Sequence, residues 1–172
     1  MTPPEFSRPI DRRQLSPAPL SLSATREERA ALAHRFALVS IGRLEAIVTL
    51  TADGDVVNAA GSLAAEWVQP CAISGEDLPQ KASESLALRF VPTTGAQAPD
   101  EEVELTAADL DEIEYTGHTF DLGEAIAQSL ALAIDPFAAG PEADRARKEA
   151  GILGESASGP FAALAGLKLP KE

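Results

Sequence analysis

The residues whose types could do chemistry here are one cysteine three places before a serine, two isolated histidines, and a run of carboxylates. Cys71-Ala72-Ile73-Ser74 has the C-x-x-S spacing of a monothiol redox site. Such a thiol reacts as the thiolate and needs a helix N-terminus or cationic neighbours to lower its pKa. Its flanks are Pro70 and Gly75-Glu76-Asp77, whose carboxylates are expected to raise that pKa, so Cys71 reads as structural. His34 stands beside Arg35 and His118 follows Gly117, and both read as surface residues. Eight acids lie between Asp100 and Glu114 with no basic residue among them. They lack the alternation and mid-loop glycine of a calcium loop, so a solvated acidic loop is expected and no metal. No phosphate loop, dinucleotide fingerprint, H-E-x-x-H or G-x-S-x-G elbow occurs. The expectation is a protein that is not an enzyme, with no catalytic, cofactor-binding or metal residue.

Charge points to binding instead. The chain carries a net charge of −13, unevenly spread. Residues 1–50 hold seven arginines against five acids, and the remainder holds seven Lys/Arg against 22 Asp/Glu. Proteins that grip nucleic acid through a broad surface carry a basic excess, whereas the pI here is about 4.5. The bulk of the molecule repels phosphate, so contact with RNA has to be local or carried by a partner. The polar, proline-rich N-terminus lacks a secretory apolar region. No apolar run approaches the ~20 residues that cross a bilayer, and one cysteine gives no disulfide within the chain. A cytoplasmic location follows as an expectation, without membrane or DNA partners.

The positioning elements can be read from pattern. An N-terminal arm, 1–24, offers Phe6, Ile10, Leu15, Leu20 and Leu22 as anchors. Thr25-Arg26-Glu27-Glu28 is a capping box opening a short helix to about Phe36. Leu44 to Thr51 alternates as a strand, with Leu44, Ala46, Val48 and Leu50 on one face. Ala52-Asp53-Gly54-Asp55 turns the chain into a long return strand, Val56 to Gln69, with a bulge or bend expected at Gly61. Ala82 to Val91 is a further strand, and a short one near Ile113–Tyr115 closes the sheet. Asp121 and Glu124 cap the main core helix, about 121–134, which Asp135-Pro136 ends. A weak helix is expected at Asp144–Ala150 and a short apolar one from Pro160 to Lys168. The fold class is therefore α+β: an antiparallel sheet or small open barrel built on a long hairpin, one core helix, and short helices near both termini. The expected divisions are the arm 1–24, a core domain 25–136, and a linker with short C-terminal helix 137–172.

Four of these features, in this order, resemble the YceD family of large ribosomal RNA subunit accumulation proteins. They are the cysteine turn Val68–Ser74, the strand end Leu88-Arg89-Phe90-Val91-Pro92, the helix Phe120–Pro136, and the tail Gly159–Lys168. Glu5-Phe6-Ser7-Arg8-Pro9 adds a style associated with alphaproteobacterial members. The resemblance spans roughly residues 5–168 and implies support of 23S rRNA accumulation or processing in ribosome biogenesis. Many relatives carry C-x-x-C at the turn, which invites a zinc site. Ser74 stands at the second position here, and one thiolate cannot build a tetrahedral site within one chain.

The expected partner is a ribosomal protein or large-subunit assembly intermediate, met by Asp100, Glu101, Glu102, Glu104, Asp109, Asp111 and Glu112, with Phe161 and Leu164 as an apolar docking face. The alternative is a direct RNA-binding module using Arg8, Arg12, Arg13, Arg26, Arg29, Arg35 and Arg43, whose forked guanidinium groups suit phosphate. A third reading is a divalent-metal-dependent hydrolase built on the clustered carboxylates.

Overall fold

The computed structural model describes residues 5–93 and 112–151. In chain order these form β1 (Pro9–Asp11), a 3-10 turn (Arg12–Gln14), β2 (Leu20–Ser23), α1 (Arg26–Arg35), β3 (Ser40–Asp53), β4 (Val56–Pro70), β5 (Asp77–Pro92), β6 (Glu112–Tyr115), β7 (Thr119–Asp121), α2 (Leu122–Ala133) and α3 (Ala143–Glu149). One sheet runs β2-β3-β4-β5-β6 and a second pairs β1 with β7. The fold is α+β, as the pattern of elements predicts, and among the described residues the sheet is open and closes no barrel. The last strand departs from the expected antiparallel arrangement: β6 runs parallel to β5, pairing Arg89 with Glu112 through Pro92 with Tyr115. A parallel neighbour requires a crossover rather than a tight turn, and alternation within a strand carries no information on direction.

Two compact units appear among the described residues. The larger comprises 5–69, 79–93 and 112–135; the smaller comprises 70–78 and 136–151. The larger unit is built on the β3–β4 hairpin, which turns at Gly54-Asp55 with Gly54 at a φ of 61°. In β3 the buried positions are Ile41, Leu44, Ala46, Val48 and Leu50. The step of three between Ile41 and Leu44 breaks the period of two, and the register shifts there, between Ile41 and Arg43. One extra residue lets both sides of the bulge point inward. The bulge thus falls at Gly42; at Gly61, where a bulge or bend was expected, the register is unbroken. Gly61 stays in register opposite Val48, and a Cβ there would lie 1.9 Å from the Ile47 carbonyl oxygen. Glycine is required at 61 by close approach of two strands.

Helix α2 lies against this sheet through Leu122, Ile126 and Leu130, all fully buried. They share one core with Val48, Leu63 and Phe90. Burying side chains of this size is worth about 1.5–3 kcal/mol each before the entropy of ordering is charged against it. Phe90 stacks on Phe120 with ring centroids 4.3 Å apart, and the Tyr115 hydroxyl donates to the Asp55 carbonyl at the hairpin tip. Phe6 and Leu22, two of the expected anchors, are buried in the same core. The capping box forms as read: Glu28 N–H donates to Thr25 Oγ1 and Thr25 N–H to Glu28 Oε2. Leu32 and Ala33 face inward on α1, while Ala30 is exposed.

Candidate partner-binding surface

The arginines assigned to RNA are built into the scaffold at most positions. Arg8 forks onto Glu28, with Nη1 2.7 Å from Oε1 and Nη2 2.9 Å from Oε2. This hydrogen-bonded pair raises the arginine pKa and lowers that of Glu28. Arg8 also donates to the Ser23 carbonyl, and Arg29 donates to the carbonyls of Ala24 and Ile41, so both side chains hold backbone just before α1. Arg35 lies between Glu124 at 2.8 Å and Glu5 at 3.1 Å, which tie α1 to α2 and to the arm. Its hydrogen bonds to Glu124 lower that carboxyl's pKa and raise its own. Arg12 reaches Asp55 at 2.7 Å. Arg13 binds Asp11, and Arg43 binds Glu45. Of the seven, Arg26 alone has neither an ion pair nor a side-chain hydrogen bond among the described residues. Their carboxylate partners are spread over the arm, α1, β3, the hairpin tip and α2.

The N-terminus of α2 explains part of this arrangement. Asp121 Oδ1 accepts from the N–H of Glu124 and from the N–H of Arg8, while its other oxygen takes the Ser7 hydroxyl. The arm crosses the first turn so closely that a Cβ on Gly123 would lie 2.4 Å from the Phe6 carbonyl oxygen. Glu124, expected to complete the cap, turns its carboxylate to Arg35 instead.

Of the residues assigned to a protein partner, only Glu112 belongs to the described ones. It begins β6 and pairs with Arg89 at 2.9 Å. Asp100, Glu101, Glu102, Glu104, Asp109, Asp111, Phe161 and Leu164 lie outside the described residues. Among those described, Glu27, Asp53, Asp77, Glu84 and Glu114 are exposed and form no ion pair. His34 and His118 are exposed, as expected of surface residues.

The cysteine turn corrects one expectation. Cys71 is only 4% exposed, and its Sγ accepts the N–H of Gly140 and of Ser74, both at 3.3 Å. These donors hold the thiol pKa down, to about 6, rather than raising it. The prediction weighed the charge of Glu76 and Asp77. What decides the matter is the closeness of backbone dipoles that stabilise the anion, one of them supplied by Gly140 from far along the chain. No group of three His, Cys, Asp or Glu side chains able to hold a metal ion occurs among the described residues.

An open, mostly antiparallel sheet with packed helices, on a chain of net charge −13, defines a class: an acidic α+β protein. The sequence matches the family described as large ribosomal RNA subunit accumulation protein YceD over residues 59–168, more than half its length. The chain belongs to the YceD family. No curated protein and no solved structure matches it. No helix among the described residues is long and apolar enough to cross a membrane.

Proposed function

We propose that this chain is a non-enzymatic, cytoplasmic accessory factor of large ribosomal subunit biogenesis. In this reading it supports 23S rRNA accumulation by binding a basic ribosomal protein, or an assembly intermediate that displays one. The family's description gives the setting. One observation carries the mechanism: six of the seven arginines in the first 50 residues are engaged by carboxylates or carbonyls of the chain itself, leaving an outward surface dominated by unpaired carboxylates. Such a surface raises the encounter rate with a cationic partner and disfavours phosphate. The acidic run 100–114, of which Glu112 and Glu114 are described, adds to the negative charge that such a partner would meet.

Aromatic platforms for stacked bases, which single-stranded RNA modules use, are few among the described residues: Phe6, Trp67, Phe90, Tyr115 and Phe120 are buried, Phe36 is half-buried, and Phe137 is exposed. Sucrose-gradient sedimentation of tagged protein tests the proposal. Co-migration with free large subunits or their precursors is the expected result, and confinement to the top of the gradient at low salt would sink it. Affinity of the purified chain for naked 23S rRNA that falls steeply with salt would transfer the function to the arginines, Arg26 first.

A further inference from the structure

Helix α2 has two working faces. Leu122, Ile126 and Leu130 fill the core. The neighbouring face, Ala125, Gln128, Ser129 and Leu132, follows i, i+3, i+4, i+7 spacing and lines a groove of about 540 Å³. The opposite wall is the 84–88 stretch of β5 with Ile113 of β6. Leu86, Leu88 and Ile113 make that wall apolar, and Leu132 stands 89% exposed at the helix side. A leucine so exposed loses the stabilisation that burial gives an apolar side chain, which marks it as a docking point when it borders a groove. Two carboxylates, Glu84 and Glu112, line the groove, and no lysine or arginine does among the described residues. Glu112 is already paired with Arg89, while Glu84 is exposed and has no ion pair among the described residues.

We infer that this groove seats a basic amphipathic segment of a protein partner. Its leucine- or methionine-sized side chains lie between Leu132 and the Leu86–Leu88 wall, and its lysines or arginines face Glu84. The charge of the lining selects this occupant: an acidic segment would set its carboxylates against Glu84, and like charges repel. The inference rests on the proposed function and names the part of the surface, and the kind of segment, that carry it.

The test is fluorescence anisotropy with two labelled peptides, one of lysines and leucines at helical spacing, the other with every leucine replaced by serine. They are titrated against the full chain, Leu132→Arg and Val39→Arg. Val39 is 52% exposed and outside the groove, so both variants change net charge equally. Arginine matches leucine in helix propensity, and circular dichroism confirms that each variant folds. The expected result is binding of the lysine–leucine peptide with Kd raised about tenfold by Leu132→Arg, and little change for Val39→Arg. Equal binding of both peptides, insensitive to Leu132→Arg, would overturn the groove while leaving the acidic-surface reading intact. Failure of both peptides to bind at low salt would overturn that reading itself.

Discussion

The arginine-bearing first third of the chain and the strand-and-helix region around β5 and α2 carry charge to opposite ends. In the first, Arg8 holds Glu28, Arg35 holds Glu5 and Glu124, and Arg12 holds Asp55, so cations knit the arm, α1, α2 and the hairpin tip together. In the second, Glu84 and Glu114 face solvent with no ion pair among the described residues. A formal balance of charges would assign the first region to a polyanion. Geometry assigns it to cohesion, because a guanidinium already forked onto a carboxylate has to break that pair before it can hold phosphate. On the proposed function, the acidic excess is what remains for a partner to meet. The contrast also crosses the family boundary: the match begins at residue 59, yet the arm that precedes it puts Phe6 into the same core as Leu122 and Ile126.

If the first region is scaffold, damage to it should appear as lost stability. Phe6→Ala has the largest expected effect, since the ring is 1% exposed and truncating a buried phenylalanine costs about 3–5 kcal/mol. Urea denaturation should show an earlier midpoint; an unchanged midpoint would mean that the arm is dispensable and the contrast drawn here is wrong. Gly123→Ala comes next, because the new methyl meets backbone atoms of Phe6 and Arg8 at 2.4 and 2.8 Å. Overpacking of that kind costs about 1–3 kcal/mol, even though alanine is the better helix former. Asp121→Ala removes the α2 cap and the anchor of Ser7 and Arg8 together. A loss of about 2 kcal/mol, the upper range for a cap, is expected in the same assay.

How far these features were legible depends on whether their cause is local. The Thr25–Glu28 box, the Asp121 cap and the alternation of Leu44 to Leu50 depend on neighbours in sequence, and each can be read there. The parallel β6, the bulge at Gly42 and the lowered Cys71 pKa depend on partners far away: β5 for the strand, β4 for the bulge and Gly140 for the thiol. Arg8 and Arg35 looked like free cations because Glu28, Glu5 and Glu124 become their neighbours only after folding. The inner face of α2 is also local: helical spacing puts Leu122, Ala125, Ile126 and Leu130 on one stripe and leaves Leu132 off it, and the structure buries those four while Leu132 is exposed.

A finer test of cohesion uses pH. Hydrogen bonding to Arg8 lowers the Glu28 pKa from its ordinary value of 4.5, so the folded chain releases that proton more readily than the unfolded chain. The stabilisation is therefore fully present above pH 4.5 and disappears as pH falls through the lowered folded value. Arg8→Met keeps much of the apolar stem over the Phe6 ring, which the guanidinium covers at 4.5 Å, and removes the ion pair. It should cost about 1 kcal/mol at neutral pH. The difference from the parent chain should shrink on acidification; a pH-independent difference would place the loss in packing rather than in the pair.

The smallest expected effect sharpens the contrast most. Glu84 lies on β5, exposed and without an ion pair among the described residues, so Glu84→Gln should change stability by no more than about 0.5 kcal/mol. The same change should weaken a lysine-rich partner, since removing an outward charge lowers the association rate and its salt dependence. Stability unmoved while binding slows is what a surface held in reserve for a partner predicts. A drop in the urea midpoint comparable to that of Arg8→Met would instead make Glu84 one more member of the internal network, and the two regions would no longer differ in kind.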